Sequence, residues 1–257
     1  MTGAPELALN NLGLSYPQRG SEAEVVALRD ITASFPAGSF TALVGPSGCG
    51  KSSLLRVLAG LLSPTQGDMS AVTQSDIGFV FQEPTLLAWR SVYENVALPL
   101  KIANRKSGLR AQEIDTRVRE ALTLVGLETR AKALPRELSG GMKMRVSLAR
   151  ALAKRPPILL MDEPFAALDE LTRFRLDDDL RAIWQRQKPT IIFVTHSVTE
   201  AAYLAERALV VRAGSIHAEI KIERPKKHTD NFRAAPNFHA ACAAISQALA
   251  DPKEGTS

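Results

Sequence analysis

The sequence predicts an α/β fold with a mainly parallel sheet, an antiparallel β subdomain at its N-terminus and an inserted α-helical subdomain. Three observations lead there. Short apolar runs at Ser39–Val44, Ile77–Phe81, Ile158–Met161, Thr190–Thr195 and Ala208–Arg212 are separated by stretches of helical periodicity, the pattern of helices packed on a parallel sheet. Two β-rich stretches, Glu6–Tyr16 and Val25–Phe35, flank the polar, Gly-containing Gln18–Glu24, which reads as a turn. From about Glu83 to Arg155 the signal is mostly helical, and it stops at Pro156-Pro157.

The helices follow from apolar spacing. Ser52–Leu62 follows a glycine-rich loop. Val92–Ile102, Ala111–Val125 and Gly140–Leu152 make up the insertion, with Asn104–Gly108 as a polar loop. Thr172–Gln187 and Thr199–Ala205 sit between the later strands. Beyond about Arg224 the pattern weakens. Phe238–Ala250 is Ala-rich and suits a terminal helix, and Asp251–Ser257 is expected to be disordered. The expected division is one domain over residues 1–224, with residues 83–155 inserted, and a tail over 225–257.

Composition narrows the partners. The 257 residues are 45% hydrophobic and 23% charged, ordinary for a globular chain. The net charge of +5 is dispersed, and the run Lys226-Lys227-His228 is too short to mark a nucleic-acid or membrane surface. No nucleic-acid partner is expected. Two distant cysteines, Cys49 and Cys242, form no disulfide framework and fit a reducing cytosol. No apolar run approaches the roughly 18–20 residues needed to span a bilayer. The start, Met1 to Pro5, lacks the pattern of a signal peptide. Any membrane-spanning part is expected on another chain.

Gly45-Pro46-Ser47-Gly48-Cys49-Gly50-Lys51-Ser52 fits G-x-x-x-x-G-K-[ST] between a strand and a helix. Glycines let backbone N–H groups turn inward around phosphate oxygens. Lys51 brings a point charge to the β- and γ-phosphates, and the Ser52 hydroxyl can ligate Mg²⁺. The helix that follows adds its positive dipole end. Cys49 occupies an unconstrained position. By themselves these features predict some nucleotide-binding protein with a P-loop NTPase core.

Ile158–Glu163 is an apolar strand ending in two acids. Beside the phosphate-loop strand, Asp162 would face the metal and Glu163 would orient or deprotonate an attacking water. The plainer alternative is a pair of acids capping the segment that begins at Pro164. Leu138-Ser139-Gly140-Gly141-Met142 opens a helix with Ser139 as N-cap and two glycines leaving its N-terminus uncovered. It is a second anion site in a chain that already has one, or simply a capped helix.

Taken together, these residues closely resemble the ATP-binding subunit of ABC transporters, over about residues 6 to 222. The resemblance makes Gly45, Pro46, Ser47, Gly48, Cys49, Gly50, Lys51, Ser52 and Ser53 nucleotide contacts. It makes Tyr16 an aromatic that stacks on adenine. Gln82 stands where the family has its Q-loop glutamine, a nucleotide and metal contact alongside Ser52 and Asp162. Ser139, Gly140 and Gly141 form the signature, Ala167-Leu168-Asp169 resembles the D-loop, and His196 resembles the switch histidine. Met142 departs from the usual glutamine. Read alone, His196 is also a plain core or capping histidine and Gln82 a plain loop glutamine.

The resemblance implies a mechanism. Two copies pack head to tail around two ATP molecules, and the signature of one caps the γ-phosphate held by the other's phosphate loop. Lys51, Glu163 and His196 are then the catalytic set, and Asp169 couples the two sites. The segment Glu83–Val92, with Trp89-Arg90 after Leu86-Leu87, is similar to the nitrate/sulfonate/taurine importer branch, although Ala88 replaces the usual proline. In that branch this region docks a helix of the membrane subunit. The implied partners are a second copy, integral membrane permease subunits and, indirectly, a solute-binding protein. The implied location is the cytoplasmic face of a bacterial-type inner membrane. A soluble ATPase without a membrane partner and a purely regulatory ATP-binding module stand as alternatives.

Overall fold

The computed structural model describes residues 6–17, 24–70, 72–73, 75–223 and 232–251, with the side chains of 104–107 excepted. The run Lys226-Lys227-His228, the last six residues and all but Glu24 of the expected turn lie outside the described residues. In chain order the first elements are β1 (Leu7–Pro17), β2 (Glu24–Phe35), β3 (Phe40–Val44), α1 (Lys51–Leu58), β4 (Gln66–Met69) and β5 (Ile77–Val80). The middle holds α2 (Val92–Ser107), α3 (Ala111–Leu124), α4 (Gly140–Leu152), β6 (Ile158–Asp162) and α5 (Glu170–Gln187). The last are β7 (Thr190–Val194), α6 (Val198–Leu204), β8 (Arg207–Arg212), β9 (Ser215–Lys221) and α7 (Pro236–Ala250).

The chain folds as two compact units. One comprises residues 5–72 with 192–257, the other residues 73–191. In the first unit β2, β1 and β4 form an antiparallel sheet in that order. β3 is buried along its whole length, as a strand covered on both faces must be. It pairs in parallel with β8, which carries β9 antiparallel on its other edge. Phe35, Phe40 and Phe193 fill this core. In α7, Phe238, Ala241 and Ile245 are buried, and the Arg212 guanidinium donates to the carbonyls of Leu249 and Asp251 at its end.

In the other unit β5 and β6 run parallel, with Ile77 opposite Ile158 and Val80 opposite Met161. Helices α2, α3 and α4 pack on one another through Val96, Leu100, Val118, Leu122 and Leu148, all essentially inaccessible.

Four local outcomes differ from the sequence expectation. Helix α1 stops at Leu58, before Leu62. Gly60 takes φ 66°, its N–H bonds Val57 O, and the Leu61 N–H reaches back to Arg56 O at 2.9 Å. This is the Schellman closure that glycine favours. Helix α2 continues through Asn104 to Ser107, where a loop was expected, and ends at Gly108 with φ 66°. Strand β4 has no apolar pattern and is held only by pairing with β1, as in Leu9 with Met69. Strand β9 follows a two-residue turn in which Ala213 and Gly214 both have positive φ, 44° and 82°. That geometry suits a hairpin, but Ala-Gly does not advertise it.

Candidate functional site

The phosphate loop leaves β3 at Gly45 and enters α1 at Lys51. Its tightness requires glycine at both ends. A Cβ on Gly45 would lie 2.2 Å from Val211 O. One on Gly50, at φ 106°, would lie 2.5 Å from Ala27 O. The loop is braced from outside, because the Gly214 N–H donates to Cys49 O at 3.0 Å and the Arg29 N–H to Gly214 O at 2.8 Å. Lys51 is 5% exposed, and its ammonium donates to Gly45 O at 2.8 Å and Pro46 O at 2.9 Å. A buried cation ringed by loop carbonyls is positioned for polyanion binding at this loop. The Cys49 thiol is buried 3.8 Å from the same ammonium.

Tyr16 and His196 lie in this unit too. The Tyr16 hydroxyl bonds the Ser53 hydroxyl at 3.3 Å, tying the end of β1 to the first turn of α1. The Thr195 N–H donates to Leu43 O at 3.2 Å. His196, which is exposed, therefore leaves β7 at the end of β3 that carries the loop. Thr195 Oγ1 bonds Glu200 and accepts from the Ser197 N–H, and Ser197 caps α6.

The remaining expected residues belong to the unit of residues 73–191. Strand register places two of them together. Val80 and Met161 are paired, so Gln82 and Glu163 each follow two residues later at the carboxyl end of adjacent parallel strands, where open α/β sheets bind ligands. Asp162 is half-buried at the end of β6. Glu163 takes φ 45°, a conformation uncommon for a residue with a Cβ.

The signature is a capped helix start, as its residue types require. Ser139 Oγ accepts from the Met142 N–H at 3.3 Å. Gly141 is buried and Gly140 exposed. The same chain's D-loop lies against them, since a Cβ on Gly140 would sit 3.6 Å from Leu168 Cδ2. Asp169 caps α5 by accepting from the Thr172 N–H at 3.0 Å, and that bond holds its carboxyl below the usual carboxylate range.

Sequence reasoning missed the residues that shape the loop after Gln82. Asn95 is fully buried in α2. Its amide donates to the carbonyls of Leu87, Arg90 and Ser91, and its Oδ1 accepts from the Leu87 N–H at 2.8 Å. Arg150 of α4 donates to Pro84 O and Thr85 O, both at 2.8 Å, and to Thr85 Oγ1 at 2.9 Å. Thr85 has φ 45°. A β-branched residue there costs about 1–3 kcal/mol and persists only where its surroundings hold it. Trp89 is 73% exposed. An asparagine among apolar helix residues was the available signal for Asn95. Nothing local marks Arg150.

Hard oxygen donors suit Mg²⁺, and the Ser52 hydroxyl, Asp162 carboxylate and Gln82 side-chain carbonyl are of that kind. Among the described residues no group of three or more His, Cys, Asp and Glu could hold a metal by itself.

Comparison with known proteins agrees with this geometry. The ABC transporter family model matches residues 28–166. The aliphatic sulfonates import ATP-binding protein SsuB of Escherichia coli (strain K12) is 45% identical over 230 residues, covering 87% of this chain and 84% of that protein. The protein of the same name from Shigella sonnei (strain Ss046) matches with the same identity and coverage. Among solved structures, the dimeric bacterial ABC transporter cassette MJ0796 matches with TM-score 0.75 and 31% identity over 85% of this chain and all of that one. A post-hydrolysis dimer of MJ0796 bound to ADP and Pi also has TM-score 0.75, at 32% identity and with the same coverage. The fold is thus a P-loop NTPase core with an antiparallel β subdomain and a helical subdomain, and the chain belongs to the ABC transporter family as its ATP-binding, ATP-hydrolysing cassette.

Proposed function

We propose that this chain energises an importer of small sulfonate-like solutes from the cytoplasmic face of the membrane, as a pair of copies bound to integral membrane permease subunits. The single observation that carries the solute class is the 45% identity to SsuB, a named aliphatic sulfonates import ATP-binding protein. Among the described residues no helix is long and apolar enough to cross a membrane, which agrees with spanning subunits on other chains. A solute-binding protein completes the assembly. The exposed Trp89 and its neighbours at 84–91 form the surface that receives the permease.

The site residues take these roles. Gly45 to Ser53 wrap the phosphates, Lys51 neutralises charge on the β- and γ-phosphates, and Tyr16 stacks on adenine. Ser52, Asp162 and Gln82 would hold Mg²⁺, which supplies charge neutralisation on the transferred phosphoryl group. Glu163 accepts a proton from, or orients, the attacking water. His196 contacts the γ-phosphate. Ser139, Gly140 and Gly141 cap the γ-phosphate bound by the partner copy, so a two-fold axis makes two equivalent sites. Asp169 helps couple them.

The importer reading is tested by genetic complementation. The chain, expressed with the membrane subunits encoded beside it in a strain lacking sulfonate uptake, restores growth on an alkanesulfonate as sole sulfur source. Growth restored on taurine or nitrate instead would reassign the solute. Association with no membrane subunit would favour the soluble ATPase.

A further inference from the structure

The signature helix and the loop after Gln82 are joined by one side chain. Arg150 lies on α4, whose first turn carries Gly140 and Gly141. Its guanidinium forks onto Pro84 O, Thr85 O and Thr85 Oγ1, and touches Ser147 Oγ at 3.5 Å on its own helix. The partners are neutral carbonyls and hydroxyls, and burial pushes the guanidinium pKa down. Such a group is held by geometry rather than by charge pairing, and its planar fork is what a lysine lacks.

The gripped residue is the strained one. Thr85, at φ 45°, is pinned by Arg150, while the far half of the loop is pinned by Asn95 of α2. The loop thus has two anchors, one on the helix that opens with the signature and one on the preceding helix. Between them the chain presents Trp89 outward. A turn held away from its preferred backbone by a single side chain has a second conformation available once that grip shifts.

We propose that Arg150 is a positioning residue that makes the conformation of residues 84–91 depend on the placement of the signature helix, so that ATP capture at Ser139–Gly141 is read at Trp89. This rests on the reading of Ser139–Gly141 as the ATP-capping signature. Arg150 itself touches no substrate. It acts through Thr85, and the dependence is reciprocal, as linkage requires.

Trp89 provides the readout. The other tryptophan, Trp184, is buried, so Trp184→Phe leaves one reporter in the full-length chain. The measurement is Trp89 emission and its quenching by acrylamide, with and without a non-hydrolysable ATP analogue and Mg²⁺. The expected result is an analogue-dependent shift that is lost in Arg150→Gln and in Arg150→Lys, while both variants still bind the analogue. Thr85→Gly, which leaves α4 untouched and releases the strained residue, should lose the same shift. It guards against a merely unfolded Arg150 variant. Retention of the shift in folded Arg150→Lys and Thr85→Gly proteins overturns the proposal, as does its absence from the Trp184→Phe parent. Ser139→Arg separates the two layers. If it abolishes the shift while the Arg150 variants keep it, the signature reading stands and the Arg150 link falls. If Ser139→Arg keeps both shift and ATPase turnover, the signature reading itself falls.

Discussion

Gly141 of the signature lies directly against Thr172: a Cβ on Gly141 would sit 2.6 Å from Thr172 Cγ2. The glycine is fixed by a neighbour as well as by any ligand. Gly141→Ala gains about 1 kcal/mol in helix propensity, against an overpacking cost of about 1–3 kcal/mol. The expected outcome is a net loss of about 1 kcal/mol in urea melts. Thr172→Ser removes the offending methyl while keeping the N–H that Asp169 caps. In a double-mutant cycle it should rescue Gly141→Ala, with coupling of about 1 kcal/mol or more. No coupling would mean the contact is not the reason for the glycine.

Asn95 makes four hydrogen bonds to the loop backbone with its side chain wholly buried. Asn95→Ala removes the partner of the Leu87 N–H and of the Arg90 carbonyl, while Leu87 O keeps the Arg90 N–H and Ser91 O keeps the Asn95 N–H. Each such group costs about 1–3 kcal/mol, so a loss of about 2–4 kcal/mol is expected in denaturant melts. Amide exchange at residues 87 to 91 should accelerate beyond what global unfolding explains.

The Asp169 carboxyl titrates below its unfolded value because the Thr172 N–H donates to it. A depressed carboxyl pKa adds stability that is fully present above the unfolded value of about 3.9 and is lost as pH falls through the folded value. Asp169→Asn keeps an acceptor and removes the titration. Wild type should be the more stable of the two at pH 7, and the gap should close as pH falls below about 4. A gap that widens in acid would reverse the sign of the argument.

Glu163→Gln keeps size and removes the carboxylate proposed as the base. Removing a general base typically lowers kcat by about 10²–10⁴-fold, and phosphate release should fall accordingly. The KM for ATP should stay near that of wild type, because the phosphate-loop contacts are untouched. Turnover near wild type would show that Glu163 is not the base.

Much of this was legible in the sequence, for particular reasons. The phosphate loop, the second acidic strand and the capped helix at Ser139 all use residue types that chemistry restricts, so their pattern survives without a fold. The buried β3 announced itself by a short apolar run, broken only by Thr41. Polar β4 did not, since only its pairing with β1 makes it a strand, and β9 hid behind an Ala-Gly turn. Arg150 acts through contacts with residues distant in the chain and Thr85 through a backbone angle, and no local pattern encodes either. Asn95 left only the mark of an asparagine among apolar helix residues.

The central claim is that each ATP site is completed by a second copy of the chain. Lys51→Ala disables a phosphate loop but keeps a signature, and Ser139→Arg does the reverse. Each pure variant should be nearly inactive in phosphate release. Mixed in equal amounts, they should recover turnover, because mixed dimers hold one site built from intact Lys51 on one copy and intact Ser139 on the other. A mixture no more active than either variant alone would contradict the account.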